Sequence, residues 1–312
     1  MHTYILIPVY NNASITFDCL RSLQAVKTPQ FSVIIGDNGS TEDDFRKLQE
    51  FAAAEKFPFP YTFLRNDMNK GFGAINNAMV RRIREEDSYV LFLNNDTVVE
   101  KTCLLALTTA FESDGNCGGV CPLICLYDDP ERIWFGGGRV SLRKRSVFTH
   151  HAIDLPRKSF SPAVRRADFL TGCALFTTKR IFESAGGFDE RIFLYCEDVD
   201  WSLRIIKTGR SLLVTGATTV LHKVSRSTEK LGADFTTYML PSSTLYCCLK
   251  HFSFAGKILV MLKIIRKVAG FSLKVFTPSK YASMQSYTRG VAHGFRLFLA
   301  WRSNPAGREL RA

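Results

Sequence analysis

Three carboxylates lie close together in an apolar, aromatic stretch of the chain. Glu197, Asp198 and Asp200 follow the Phe, Leu, Tyr and Cys of residues 193–196, and Trp201 comes directly after them. Burying an unpartnered charge is unfavourable, so such carboxylates should be paired, metal-bound or active as acid or base. The alternative is the first turn of a helix, where the helix dipole stabilises negative charge. These residues alone leave both interpretations open.

Polar residues or glycines also follow three successive predicted strands, at the point where each strand ends. They are Asp37, then Asn69 with Gly71, then Asp96. In an open parallel sheet, ligands bind beyond the carboxyl ends of the strands. A carboxylate held rigidly there suits Mg²⁺ or Mn²⁺ shared with a diphosphate. For Asp96 the alternative is an Asn-Asp turn that caps the next helix.

The elements that must position these residues alternate along the chain. Short apolar runs predict strands at 4–9, 31–35, 61–64, 89–93 and 168–177. Helices are predicted between them, including one at 15–25, one capped by Ser40 or Thr41 and one that begins near Glu197. This alternation predicts an α/β fold with a doubly wound, mostly parallel sheet. Adjacent histidines point in different directions, so His150 and His151 are not predicted ligands.

The positive charge is concentrated at the C-terminal end. The net charge is +12, and residues 241–312 hold 12 Lys and Arg against the single acidic residue Glu309. We therefore predict a boundary between 1–240 and a basic, amphipathic helical region at 241–312. Apolar residues such as Leu259 and Leu262 alternate there with cations such as Lys250 and Lys257, which is typical of a helix on an anionic membrane surface. The alternative is a helical subdomain packed on the first domain, which could also form a homodimer.

Cysteine usage and hydropathy indicate the compartment. The nine cysteines are scattered, the sequence opens without a signal-peptide pattern, and no apolar run approaches the roughly 18 to 20 residues of a membrane span. We expect buried thiols in a cytoplasmic protein that contacts the inner face of the cell membrane only peripherally.

Seven short motifs occur in an order that resembles the family 2 glycosyltransferases of the GT-A fold, and most of all the bacterial rhamnosyltransferase-like members. The resemblance covers roughly residues 3–228. The motifs are Pro8-Val9-Tyr10-Asn11, Asp37-Asn38-Gly39-Ser40-Thr41, Asn69-Lys70-Gly71-Phe72-Gly73, Asn94-Asn95-Asp96, Gly186-Gly187-Phe188-Asp189-Glu190, Glu197-Asp198-Val199-Asp200-Trp201 and His222-Lys223-Val224-Ser225.

The resemblance implies a role for each matching position. The nucleotide would contact Pro8, Tyr10, Asp37, Asn69, Gly71 and Asn95, with Asp37 accepting a hydrogen bond from a pyrimidine base. Mg²⁺ or Mn²⁺ on the diphosphate would be held by Asp96 and approached by His222. Asp198 would be the general base, Glu197 and Trp201 would shape the acceptor site, and Asp200 would be structural. The chain departs from the family's Asp-x-Asp at Asn94, so we expect modest metal affinity.

The implied activity is inverting, metal-dependent sugar transfer from a dTDP- or UDP-linked donor. Rhamnose from dTDP-rhamnose is the leading donor, UDP-linked galactofuranose or hexose is the alternative, and the acceptor is a glycan or lipid-linked oligosaccharide. Other classes fit less well. A dehydrogenase would need Gly-x-Gly-x-x-Gly after the first strand. A nucleic-acid-binding protein would leave the strand-end carboxylates without a role, so no nucleic-acid partner is expected. A non-catalytic binder of nucleotide sugars is supported only by Asn94.

Overall fold

Strands and helices alternate through the first part of the chain, as the apolar runs predict. The computed structural model describes residues 1–27, 30–144, 146–224, 232–272 and 278–303. Its first elements are β1 (His2–Val9), α1 (Ala13–Gln24), β2 (Phe31–Asp37), α2 (Glu42–Glu55), β3 (Tyr61–Arg65), α3 (Phe72–Val80), β4 (Ser88–Leu93), β5 (Thr97–Val99) and α4 (Cys103–Glu112). Thr41 caps α2, as expected, by accepting a hydrogen bond from the Asp44 backbone N–H at 3.3 Å.

The second part begins with a long strand and ends in three helices. It comprises β6 (Cys117–Leu126), β7 (Ile133–Phe135), β8 (Gly138–Val140), β9 (Phe148–His150), a 3-10 turn (Arg157–Ser159), β10 (Arg165–Arg166), β11 (Ala174–Thr178), α5 (Lys179–Ser184), α6 (Glu197–Lys207), β12 (Ser211–His222), α7 (Gly232–His251), α8 (Phe254–Ser272) and α9 (Pro278–Ser303). The strand predicted at 168–177 is shorter, because residues before Ala174 turn toward α6 instead.

One ten-stranded sheet forms the centre of the molecule. Its main order is β10-β12-β6-β11-β4-β1-β2-β3, with β5 on β12 and β7 on β6. Strands β3, β2, β1 and β4 are parallel, whereas β11 runs antiparallel between β4 and β6. The α/β class with its parallel half is confirmed, and the antiparallel β11 makes the whole sheet mixed.

The core follows from the strands' composition. Ile5, Leu6 and Ile7 of β1 are fully buried, as parallel strands covered on both faces require. Helix α3 packs on β1 and β2, α4 on β6 and β12, and α5 on β4 and β11. All nine cysteines are buried free thiols, as expected.

The C-terminal region is helical, but the predicted boundary at 240 falls inside α7. That helix packs against α6 and α9. Gly290 of α9 permits the close approach, because a Cβ there would lie 2.1 Å from the Tyr238 carbonyl oxygen. Lys250 was expected among the cations that flank an apolar helix face, but its side chain is only 5% exposed because it pairs with buried carboxylates. No helix within the described ranges is both long and apolar enough to cross a bilayer.

Candidate active site

A cavity of about 490 Å³ opens at the carboxyl ends of β1, β4 and β12. Its walls come from the end of β1, the loops after β3 and β4, the segment before β11, the start of α6 and the end of β12. All predicted site residues except Asp37 and Trp201 line it: Pro8, Tyr10, Asn69, Gly71, Asn95, Asp96, Glu197, Asp198 and His222. Ser225, the last residue of the seventh motif, lies outside the described residues.

Asp37 is not among the residues that line the cavity. The side chain is fully buried, and its carboxylate accepts hydrogen bonds from Arg65 Nε at 3.1 Å and the Ser40 backbone N–H at 3.3 Å. Arg65 also donates to the Ser40 carbonyl at 3.2 Å. In this structure Asp37 therefore holds the turn after β2, and its contact with a nucleotide base stays a prediction.

Asn38 takes a place at the cavity that the sequence did not single out. Its amide nitrogen donates to Asn69 Oδ1 at 2.8 Å and to the Gly71 carbonyl at 3.1 Å. Gly71 adopts a φ of 90°, and a Cβ there would lie 2.4 Å from the Phe193 carbonyl oxygen. Only glycine fits so close a backbone approach. The loop after β3 is thereby held against the segment that precedes α6.

Asp96 and His222 form a pair suited to a divalent cation. Oδ1 of Asp96 lies 3.2 Å from Nε2 of His222, and both side chains are buried. Neighbouring ligands of an octahedral ion with bonds of about 2.1 Å are about 3 Å apart, so this spacing fits Mg²⁺ or Mn²⁺. The His222 Nδ1 atom is buried without a hydrogen-bond partner among the described residues. The Asn94 side chain, at the first position of the motif, adds no charge to the site.

A second group with metal-binding side chains lies outside the cavity, within the described part of the chain. Ligand atoms of Asp200, Cys247 and His251 lie within 4.8 Å of one another. However, Asp200 already pairs with Arg204 and Lys250, each at 2.8 Å. Two cations neutralise this carboxylate, so the group is a structural ion-pair cluster. These ion pairs agree with the prediction that Asp200 is structural.

Asp198 and Glu197 are adjacent carboxyl groups in different surroundings. Asp198 accepts backbone hydrogen bonds from Gly172 at 2.9 Å and Val199 at 2.7 Å. Burial raises the pKa of Asp198, and these donors oppose the rise. Burial and then the Asp198 charge raise the pKa of Glu197 well above 4.5, and its Oε2 has no hydrogen-bond partner in the described ranges. The pKa of Glu197 is raised more strongly than that of Asp198, so Asp198 is the one of the two that ionises first.

The backbone before these carboxyl groups is strained. Tyr195 and Cys196 have φ values of 67° and 66°, in the left-handed region that L-residues rarely adopt. Each such residue costs about 1–3 kcal/mol and persists only where the surroundings enforce it. This conformation turns the chain sharply into α6, so that Glu197 and Asp198 enter the cavity.

Trp201 belongs to the core. The ring is fully buried, lies 5.9 Å from the Phe182 ring and does not line the cavity. The ring was expected to shape the acceptor site, but it is not part of the cavity wall. The residue falls one helical turn after Glu197, on the face of α6 that packs on the sheet, where an aromatic side chain buries most area.

The rings of Trp134 and His150 line the cavity, although neither residue was a predicted site residue. The Trp134 ring centroid lies 4.6 Å from those of both His150 and His222. Nδ1 of His150 donates to the Trp134 carbonyl at 3.2 Å, and burial lowers the pKa of His150, so its imidazole is neutral. Trp134 lies in β7 and His150 in β9, strands of three residues whose pattern is too short to identify. In the sequence, the adjacent pair His150 and His151 was the only feature that drew attention to this part of the cavity, and it gave no indication of Trp134.

A short backbone connection joins Asp198, at the start of α6, to the loop that carries Asp96. Gly172 N–H donates to Asp198, and the carbonyl of the next residue, Cys173, accepts from the Asn94 backbone N–H at 2.9 Å. Two adjacent residues thus connect the carboxylate at the start of α6 with the loop that carries Asp96. The cavity brings together a buried carboxylate at the start of α6 and a residue pair whose spacing suits a cation.

Comparison with known proteins identifies the family. The family model "Glycosyl transferase family 2" matches residues 4–176. An N-acetylglucosaminyl-diphospho-decaprenol L-rhamnosyltransferase of Mycobacterium tuberculosis is 26% identical over 252 residues, which cover 74% of this chain and 79% of the relative. The rhamnosyltransferase WbbL of Escherichia coli K12 is 26% identical over 196 residues, covering 58% and 71%.

A solved structure shares the fold. The mannosyltransferase PcManGT from Pyrobaculum calidifontis, in complex with GDP-Man and Mn²⁺, superposes with a TM-score of 0.56 at 14% identity, covering 97% of this chain and 88% of that one. The sheet with its strand-end cavity is thus of the GT-A type. Since the family model also covers more than half of the sequence, this chain belongs to glycosyl transferase family 2 and is a glycosyltransferase.

Proposed function

We propose that the chain is an inverting glycosyltransferase that transfers rhamnose from dTDP-rhamnose to a hydroxyl group of a lipid-linked cell-surface glycan. The observation that carries this proposal is the shared cavity in which Gly172 and Cys173 join Asp198 to the loop of Asp96. The sugar and the acceptor are suggested by the two rhamnosyltransferase relatives, one of which is named for a diphospho-decaprenol substrate.

In this reaction Asp198 removes the proton from the acceptor hydroxyl as its oxygen attacks the anomeric carbon. The new carbon–oxygen bond forms on the face of the sugar opposite the nucleoside diphosphate. The bond between the anomeric carbon and the diphosphate breaks, and the diphosphate leaves with the electron pair of that bond. Direct displacement of this kind inverts the anomeric centre, and the other two carboxyl groups that line the cavity have other assignments, Asp96 to the cation and Glu197 to the acceptor site. General-base assistance typically contributes about 10² to 10⁴-fold in rate.

Asp96 and His222 would hold the divalent ion, Mg²⁺ or Mn²⁺, and Asn94 and Asn95 border them in the cavity. When bound, such an ion stabilises the negative charge of the departing diphosphate. Asn95 is itself held by a hydrogen bond from its amide nitrogen to Thr16 Oγ1 at 3.0 Å, which ties the loop to α1. With one carboxylate in place of two, the donor's own diphosphate supplies much of the attraction for the cation.

The experiment that tests this proposal is a thermal-shift panel followed by product analysis. The protein is incubated with dTDP-rhamnose, UDP-galactofuranose and UDP-glucose, each with and without Mn²⁺. A Mn²⁺-dependent rise in Tm with dTDP-rhamnose, and NMR of the product showing an inverted anomeric centre, are expected. A rise with a UDP-sugar alone would replace the donor, and a product with retained configuration would overturn the inverting mechanism.

We also propose that α8 places the enzyme on an anionic bilayer, at the inner face of the cell membrane. Its outer face carries large apolar side chains that are 45–80% exposed; they are Phe254, Ile258, Leu259, Leu262 and Ile265. Cations lie along the same helix at Lys257, Lys263, Arg266 and Lys267. An exposed apolar face flanked by cations matches the headgroup region of anionic lipids, where each basic residue contributes about 1 kcal/mol.

A further inference from the structure

Lys250, near the end of α7, bridges two buried carboxylates of the catalytic region. Its Nζ lies 2.7 Å from Asp189 Oδ2 and 2.8 Å from Asp200 Oδ1. The lysine side chain and both aspartates are at least nine-tenths buried. A buried charge pair is strongly destabilised when one partner is removed, so this lysine is tightly held.

The two aspartates stand at the two ends of the segment that forms one side of the cavity. Residues 193–199 of that segment line the cavity, with Asp198 among them. One ammonium group from a helix far along the chain thus fixes both ends of the segment. The same segment contains the left-handed residues Tyr195 and Cys196, whose strain requires firm support from outside.

Helix α7 supports this segment at further points. Ser243 Oγ donates to the Leu194 carbonyl at 2.8 Å, and Tyr246 OH donates to Asp189 Oδ2 at 2.6 Å. Nε2 of His251 donates to Asp200 Oδ1 at 2.7 Å. These contacts lie on the side of the segment away from the cavity, since none of the α7 residues that make them lines it.

The remaining oxygens of the two aspartates are also occupied. Arg204 Nε donates to Asp200 Oδ2 at 2.9 Å, and the same guanidinium donates to the Gly187 carbonyl at 2.7 Å. Arg191 donates to Asp189 Oδ1 at 2.8 Å. Lys250 is the group that bridges the two carboxylates: without it Asp189 would keep Arg191 and Asp200 would keep Arg204, but no cation would link them.

We propose that Lys250 is a positioning residue for sugar transfer: by bridging Asp189 and Asp200 it holds Asp198 where it can reach the acceptor hydroxyl. The reaction it serves is the one under the proposed function, on which this inference rests. The C-terminal helices are then part of the catalytic unit and not a detachable anchor. Misplacing a reacting group by about 1 Å can lower the rate by about 10²-fold, which is the size of effect such a residue can have.

The test compares Lys250→Met with Lys179→Met in the full chain. Lys179 is a matched control, because it is also a buried lysine, 7% exposed, and pairs with Glu86 at 2.6 Å on α5, away from the cavity. We measure kcat, KM and donor Kd, together with hydrogen–deuterium exchange of residues 190–200. Lys250→Met should lower kcat by about 10- to 100-fold with donor Kd unchanged, and should speed exchange in that segment, whereas Lys179→Met should do neither.

Equal effects of both substitutions on kcat, or unchanged exchange in Lys250→Met, would overturn the positioning role. If the wild-type protein transfers no sugar, the proposed function fails, and the exchange comparison still decides whether Lys250 holds the segment. If Lys250→Met does not fold, Lys250→Gln, which removes the charge but keeps a hydrogen-bond donor, is measured in the same way.

Discussion

Nε2 of His222, at the end of β12, lies 3.2 Å from Oδ1 of Asp96, in the loop after β4. The β5 strand makes this meeting possible, because it pairs His222 with Thr97, the residue directly after Asp96. A hydrogen bond from the Lys223 backbone N–H to the Asp96 carbonyl at 2.9 Å fixes the same register. The spacing of the two side chains is therefore set by backbone pairing, before any ion binds.

His222→Ala should raise the Mn²⁺ concentration needed for half-maximal transfer by about tenfold or more, since changes around a metal ligand commonly cost 10- to 100-fold in affinity. Activity is measured over a Mn²⁺ titration, and the Mn²⁺-dependent shift in Tm with donor present gives a second reading. His2→Ala is the control, because His2 contacts Ser32 at the opposite end of β1. An unchanged metal requirement in His222→Ala would remove His222 from the site.

Asp198→Asn should lower kcat by about 10² to 10⁴-fold, because the amide cannot accept the acceptor's proton. Donor affinity should stay close to that of the wild type, since Asp198 is assigned to the acceptor. Isothermal titration with the donor and a steady-state transfer assay measure the two quantities separately. Asp154→Asn, which removes an exposed partner of Arg132, is the control. Substantial turnover by Asp198→Asn would show that another group is the base.

Glu197→Gln should remove a decrease in the free energy of unfolding that the wild type shows as pH rises above 4.5. The folded-state pKa of Glu197 is raised above 4.5, so its stabilising contribution is fully present below that value and is lost as pH rises through the folded pKa. Glutamine does not titrate. The unfolding free energy of Glu197→Gln minus that of the wild type should therefore increase as pH rises from 4.5.

Denaturant unfolding at several pH values between about 4.5 and 8 measures this difference. The control is Glu85→Gln, because a hydrogen bond from Tyr4 lowers the pKa of Glu85 and its contribution changes below 4.5 instead. A flat difference for Glu197→Gln above pH 4.5 would mean that Glu197 is already ionised in the folded protein.

The double variant Leu259→Glu, Leu262→Glu should bind anionic vesicles at least about tenfold more weakly, since each buried leucine contributes about 1.5 kcal/mol or more. Cosedimentation with phosphatidylglycerol vesicles measures binding. The control is Leu105→Glu, Ile153→Glu, because these side chains are 54% and 48% exposed, against 46% and 50% for the α8 pair. Equal losses in both double variants, or no binding by the wild type, would remove the membrane assignment.

Local pattern was enough to predict much of the fold and of the site. Residues only a few positions apart in the sequence determine the apolar runs of β1 to β4. The same is true of the Thr41 cap and of the start of α6 at Glu197. Residues at the carboxyl ends of parallel strands converge on one edge, so Asn69, Gly71 and Asp96 could be placed together. Those three do line one cavity.

Tertiary contacts decided which side chains face that cavity. Asp37 is fully buried and pairs with Arg65 on the neighbouring strand. Trp201 lies on the face of α6 that meets the sheet and is therefore in the core. Trp134 and His150 reach the cavity from strands too short to show a period. By composition Lys250 belongs with the solvated cations of the tail. It is buried because Asp189 and Asp200, distant in sequence, compensate its charge, and only the folded chain brings the three together.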